Sequence, residues 1–229
     1  YSAGLTFQAS YVLSKAMGDV DGGAMDHYNR RLEKTIESND QTHTAKLSYV
    51  YELPFGPARK YLNRGVASRI VGGWRASASH MYVSGTPMSL GTTISFPIFA
   101  AGGNRPTIST YDGWRGVISG ERFDPAQDSF LQPASFFGTQ PTDRFGNMTR
   151  YNPKLRSMPI LSEDISVSRS IRIKEGVGLD FRCEAFNLLN RIRFGSLSGG
   201  NSLQNANFGL WRSQSNSPRR LQLVLKLTW

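Results

Sequence analysis

Hydrophobic and polar residues alternate with a period of two in six stretches of the chain, the spacing that puts successive side chains on opposite faces of a β-strand. At the C-terminus Leu221, Leu223, Leu225, Leu227 and Trp229 share one parity; Arg220, Gln222, Lys226 and Thr228 share the other, and Val224 alone is out of place. The first stretch behaves alike, with Leu5, Phe7, Ala9, Tyr11 and Leu13 opposed to Thr6, Gln8, Ser10, Val12 and Ser14. So does the second, where Ala45, Leu47, Tyr49, Tyr51 and Leu53 oppose Thr44, Lys46, Ser48, Val50 and Glu52.

Three further stretches fit less cleanly. Trp74, Ala76, Ala78 and Tyr82 form an apolar parity into which His80 intrudes. From Leu161 to Ile173 the apolar parity holds Ile165, Val167, Ile171 and Ile173 but also Glu163 and Arg169, the worst misfit. Val177, Leu179, Phe181, Cys183 and Ala185 then oppose Gly178, Asp180, Arg182, Glu184 and Phe186.

The connections alternate in length. Lys174-Glu175-Gly176 reads as a tight hairpin with Gly supplying a positive φ. Pro54 to Gly73 is a Pro- and Gly-rich connection with a helical turn expected around Ala67 to Val71. Lys15 to Gln41, Gly85 to Ile160 and Leu188 to Ser217 are long, and all three fall at the same end of the strands. An antiparallel meander with one elaborated end is the expected architecture.

Composition narrows the classes. No run approaches the ~18 to 20 apolar residues of a membrane-spanning helix, but a membrane β-barrel is not excluded, because its strands alternate. The chain of 229 residues carries 27 Lys plus Arg against 17 Asp plus Glu, a net charge of +10, which suits an anionic partner. The cations are scattered, and the aromatics follow strand parity instead of clustering with them, so nucleic-acid binding ranks last. A lone Cys183 forms no internal disulfide. Tyr1 opens the chain without an initiator Met or a signal pattern, and a strand begins at once, which reads as a fragment lacking its N-terminal portion.

A soluble antiparallel β-sandwich would also alternate. Three features favour the membrane reading. The strands match the ~9 to 11 residues that a tilted strand needs to cross a bilayer. Long loops at one end and short turns at the other are the asymmetry of outer-membrane barrels. The polar parity collects Lys46, Glu52, Arg75, Asp180, Arg182, Glu184, Arg220 and Lys226, which suits a wet lumen, whereas a cation at mid-bilayer on the lipid side costs ~2 to 4 kcal/mol.

The terminal stretch Leu221-Gln222-Leu223-Val224-Leu225-Lys226-Leu227-Thr228-Trp229 resembles the last strand of bacterial outer-membrane barrels, with an aromatic end and apolar alternate positions. The resemblance implies that Leu221, Leu223, Leu225, Leu227 and Trp229 form the signal read by the barrel-assembly machinery. Upstream, Tyr49-Val50-Tyr51-Glu52-Leu53-Pro54-Phe55-Gly56 after His43, Gly72-Gly73-Trp74 opening a strand that ends Ser84-Gly85-Thr86-Pro87, Arg144-Phe145-Gly146-Asn147, Phe181-Arg182-Cys183-Glu184-Ala185-Phe186-Asn187-Leu188-Leu189-Asn190, and Phe208-Gly209 before Ser217-Pro218-Arg219-Arg220 look like one family. They are similar to TonB-dependent receptor-like proteins of the Oar type, which carry an N-terminal carboxypeptidase-regulatory-like domain. Such proteins have a barrel of about 22 strands with a plugged lumen. The resemblance implies that residues 1–229 are the last six strands of that barrel, without plug or regulatory-like domain, and form an open, curved sheet with two unpaired edges. It also implies energy-coupled uptake of a bulky solute, with outer-membrane lipid, lipopolysaccharide, the protein's own plug domain and an energy-coupling periplasmic protein as partners. A non-enzymatic binding or adhesion-type module is the alternative.

Candidate chemistry is sparse. Gly18-Asp19-Val20-Asp21-Gly22 begins like a calcium loop, but Arg30 stands where the twelfth-position Glu belongs; a looser ion site at Asp19, Asp21 and Asp26 is the weaker alternative to a solvated loop. His27, His43 and His80 lack metal-ligand spacing, and no nucleophile-elbow, Walker or dinucleotide-binding motif occurs, so no catalytic residue, cofactor or metal is expected. Asp180, Arg182 and Glu184 form a ladder of alternating charge expected to serve lumen electrostatics. In the longest loop Trp114, Arg115, Arg122, Phe136 and Phe137 are a candidate binding surface, and the loop cations Arg30, Arg31, Arg105, Arg115, Arg122, Arg144, Arg150 and Arg156 are expected to face an anionic ligand or lipopolysaccharide.

Overall fold

The computed structural model describes residues 4–19, 24–26, 28–57, 59–91, 105–109, 112, 124, 128–138, 144–195, 197, 202–211 and 213–229. Along the chain the elements run β1 (Leu5–Leu13), β2 (Met17–Gly18), β3 (Thr35–Ile36), β4 (His43–Glu52), α1 (Gly65–Val71), β5 (Trp74–Val83), β6 (Pro87–Met88), β7 (Asn152–Arg156), β8 (Ile160–Lys174), β9 (Val177–Phe186) and β10 (Arg220–Thr228). The six long strands form one antiparallel sheet in the order β1-β4-β5-β8-β9-β10, with β1 and β10 at its edges. These are the six alternating stretches, and the expected open meander is what forms. A nine-residue strand is ~27 Å long, or ~21 Å of height at a ~40° tilt, close to the ~25 Å apolar band of a barrel wall.

Because paired residues in an antiparallel ladder share a face, register decides whether the separate stripes join. They do. One row runs Leu5, Tyr51, Ala76, Val167, Cys183, Leu223; the next runs Phe7, Tyr49, Ala78, Ile165, Ala185, Leu221. Leu223 and Leu225 are 70% and 68% exposed, so this oily face is not sealed into an interior. At the turn end, Gly176 adopts φ 75° in the two-residue link between Lys174 and Val177, and a register shift between Arg172 and Lys174 bulges Ile173 out of the ladder.

The packed core lies in the loops. Met88, Leu90, Phe130, Leu131, Phe137, Met148 and Leu155 from the β5–β8 connection bury themselves against Leu197, Leu203, Phe208 and Trp211 from the β9–β10 connection. Phe130 and Trp211 rings lie 4.7 Å apart, and Phe137 meets Phe208 edge-on at 5.6 Å. Asn147 brackets the backbone of Ile108, accepting its N–H at 2.8 Å and donating to its carbonyl at 2.9 Å, which lets a strandless segment satisfy its polar groups. The β2–β3 and β6–β7 ribbons belong to this cap; β2, β3 and β6 have two residues each, too few to carry a readable period.

Buried ion pairs lock the β1–β4 connection to the cap. Glu33, its side chain wholly buried, receives Arg105 and, at 3.0 Å, Arg150. Asp40, equally buried, receives Arg156 at 2.8 Å. Arg105, Arg150 and Arg156 were expected to face an outside anion; they are instead internal counter-ions, because a packed cap must neutralise its own carboxylates. Arg30 pairs with Asp19 at 3.1 Å, which removes Asp19 from the looser ion site; Asp21 lies outside the described residues.

Candidate functional site

The polar parity faces the hollow of the sheet. Gln8, Ser48, Ser77, Ser79, Asp164, Ser166 and Glu184 line a concavity of about 450 Å³. Four serines, Ser48, Ser77, Ser79 and Ser166, stand in it beside Val50 and Phe186, and Ser77 and Ser166 meet across the β5–β8 pair at 2.9 Å. The wall they make is smooth and wettable, since a Ser exposes a donor and an acceptor without reaching into the space.

The expected lumen charges occupy this face in cross-strand pairs. Glu52 lies directly opposite Arg75 and holds it at 3.4 Å, with Arg59 from the β4–β5 connection on its other oxygen at 2.8 Å. Asp180 stands opposite Lys226, and Arg182 reaches Glu184 along its own strand at 3.4 Å. Lys46 lies opposite Met81. The charges concentrate toward the two ends of the face and along β9, leaving the serine field between them.

Two further hollows continue the concavity toward the loop end. The next, of about 280 Å³, shares Asp164 and Phe186 with the first and adds Arg193 and Arg220; Arg220 sits over the Phe186 ring at 5.7 Å. The outermost, of about 480 Å³, shares Ile160 and Arg193 with the second and opens among Gln41, Thr86, Tyr151, Met158, Phe194 and Trp211. Arg193 thus stands at the junction of mouth and groove, held by Asn216 at 2.8 Å on its N–H and by Ser215 at 2.9 Å on its Nε.

The alternation identifies the wall but not this mouth. Asp164 was legible as a polar-parity residue between Ser162 and Ser166, whereas Arg193 sits in an irregular loop whose position only folding specifies. Of the candidate loop surface, Phe136 is 40% exposed but Phe137 is wholly buried in the cap core, so Phe137 is a packing residue and not a contact surface. Trp114, Arg115 and Arg122 lie outside the described residues. Leu221, Leu223, Leu225, Leu227 and Trp229 line the free edge strand with their side chains exposed.

The misfits on the oily face find partners. Glu163, opposite His80 and 3% exposed, accepts from Arg191 Nε on both oxygens, each at 3.0 Å. The His80 ring stacks between Tyr49 and Tyr82, at 5.7 and 6.4 Å. Arg169 donates to the Arg69 and Ile70 carbonyls at the end of α1 and lies 5.8 Å over the Trp74 ring.

Outside the strands, burial disfavours the charged form of Asp40, but hydrogen bonds from the Ala16 N–H, Arg156 and Thr42, with the Arg156 charge, outweigh it and hold the carboxyl below its ordinary value. Among the described residues no helix is long and apolar enough to cross a membrane, and no cluster of His, Cys, Asp and Glu gathers as a metal site would.

A family model described as an outer membrane beta barrel domain matches residues 1–222. Comparison with curated proteins and with solved structures gives no match.

Proposed function

The chain belongs to the outer membrane β-barrel domain family, and from that premise we propose that it forms the C-terminal wall of a TonB-dependent, energy-coupled importer of a bulky solute. Its location is the outer membrane, its oily face is turned to lipid, and its serine-lined face is turned to the bore. The observation that carries the transport reading is a run of three adjoining hollows with shared lining residues, from the mouth at Arg193, past Asp164, to the Ser77–Ser166 field. The motif resemblance from His43 to Arg220 supports the same family of receptors.

On this reading a plug domain fills the bore against Glu52, Arg75, Asp180, Arg182, Glu184 and Lys226, and a periplasmic partner supplies the energy. The β10 edge ending in Trp229 is the strand offered to the barrel-assembly machinery, as an edge that pairs with another sheet. The chemistry is binding and passage, with no catalytic step and no cofactor. Lipopolysaccharide packs outside the wall.

The test is solute accumulation by cells with and without the protein, screened over peptides and oligosaccharides too large for general porins. The expected result is uptake that requires the protein and is abolished by a protonophore. Protein-dependent binding of cells to a surface, with no such uptake at any solute, would replace the importer with the adhesion-type module.

A further inference from the structure

We propose that α1 is an in-plane membrane anchor, lying on the lipid side of the wall at its periplasmic end and sinking Val66 and Ile70 into the phospholipid leaflet, with Arg169 as the clamp that holds it there. The inference rests on the outer-membrane location and the two-faced sheet, not on what the barrel transports.

The helix is inside out for water. Ser68 is its buried residue, 3% exposed, while Val66 and Ile70 are 75% and 63% exposed. At ~100° per residue, Val66 and Ile70 lie together within about 20° of the direction opposite Ser68. The apolar stripe therefore points away from the protein, and the small polar residue points toward it. Leu62, in the segment that leads into the helix, is also 55% exposed. The inner side is fitted for close approach: a Cβ on Gly56 would stand 2.4 Å from the Gly72 Cα, so the two glycines let the end of the helix lie against the Pro54–Gly56 turn.

Arg169 explains where the helix sits. It occupies the oily parity, opposite Trp74 and Phe181, and its guanidinium closes on the Arg69 and Ile70 carbonyls. The last carbonyls of a helix lack intrahelical donors and carry partial negative charge, which a cation satisfies. Trp74 Nε1 adds a donor to the Ile70 carbonyl at 3.2 Å, and Phe181 packs edge-on against Trp74 at 5.8 Å. The row Ile171, Leu179, Leu227 continues the lipid-facing surface beyond this attachment toward the turn end. The exposed stripe of α1 is thus contiguous with a face already in lipid. Lys60, Arg64 and Arg69 are exposed around it, the charge that anionic phospholipid headgroups attract. A phospholipid leaflet is the occupant that matches both the apolar stripe and its basic border.

The experiment places an environment-sensitive fluorophore at Val66→Cys or Ile70→Cys, in a Cys183→Ala background, in the protein folded into phosphatidylethanolamine–phosphatidylglycerol vesicles. Leu225→Cys serves as the lipid-facing reference and Lys174→Cys as the aqueous one. The expected result is quenching of both helix positions by shallow nitroxide-labelled lipid, within twofold of Leu225→Cys, and little quenching by iodide. Adding Arg169→Leu should cut lipid quenching at Val66→Cys and Ile70→Cys severalfold while leaving Leu225→Cys unchanged. Iodide quenching without lipid quenching would put the helix in water and overturn the proposal. Protection from both quenchers would assign the stripe to a protein partner and overturn it equally, and helix signals indifferent to Arg169→Leu would overturn the clamp.

Discussion

Arg156 reaches across the loop cap to Asp40, 116 residues away in sequence, donating from Nη2 to its carboxylate at 2.8 Å and from Nη1 to its backbone carbonyl at 3.2 Å. The same Nη1 donates to the Gly85 carbonyl at 3.0 Å, so one guanidinium ties three segments of the cap together.

That pair makes the cap sensitive to acid. The native environment holds the Asp40 carboxyl below its ordinary value, so the unfolded chain takes up the proton first as pH falls. Its contribution is complete above the ordinary value of ~3.9 and is lost as pH drops through the lower native value. Limited proteolysis of the loops should show the cap resistant at neutral pH and opening below about pH 4. Asp40→Asn should be opened already at neutral pH and lose this acid step.

Glu33 balances two guanidinium groups with a carboxylate that water does not reach. Removing one member of a buried pair leaves the rest uncompensated, at a cost of ~3 to 5 kcal/mol. Glu33→Ala should therefore loosen the cap, read as faster loop proteolysis and a lower Tm, while the barrel wall keeps its heat-modifiable migration on gels. Equal loss of wall and cap would show that the two fold as one unit.

The two faces of β10 should answer differently to the same cation. Leu223→Lys places a charge on the lipid-facing parity and should cost ~2 to 4 kcal/mol of membrane stability. Gln222→Lys, one residue earlier, enters the wet side next to Glu184 and should be near neutral. Urea titration of the folded protein in vesicles measures both; a reversed order of costs would mean that the sheet is turned the other way, and equal costs that neither face meets lipid.

A large side chain in the serine field should obstruct passage without harming assembly. Ser77→Trp fills space in the concavity, between Ser166 and Val50, where the wild-type side chain is short. Solute accumulation should fall at least tenfold with normal amounts of protein in the outer membrane. Undiminished uptake would route the solute elsewhere.

How much of this was legible in the chain follows from the period of each element. Period-two alternation needs only nearest neighbours, so Leu5–Leu13, Trp74–Val83 and Arg220–Thr228 announced themselves, as did the hairpin at Gly176. His80, Glu163 and Arg169 broke the pattern, and the pattern offered no reason. Tyr82 stands two residues from His80 on the same strand, but Tyr49, Arg191 and the carbonyls of α1 lie on another strand, in a loop and in the helix of another connection. The cap was the least legible part. Phe136 and Phe137, read together as a candidate surface, are neighbours in sequence with opposite fates, one partly exposed and one fully enclosed.

What the amino-acid sequence determined by itself is a wall: six strands, one oily and one wet face, long connections at one end. Local backbone geometry converts residue order into sidedness with no further information. What only the tertiary structure decided is which loop cations are consumed by Glu33 and Asp40, and why an arginine stands among the greasy positions of β8. Each of these depends on residues distant in the chain meeting in space, where burial makes an unpartnered charge too costly to leave and so selects the contact.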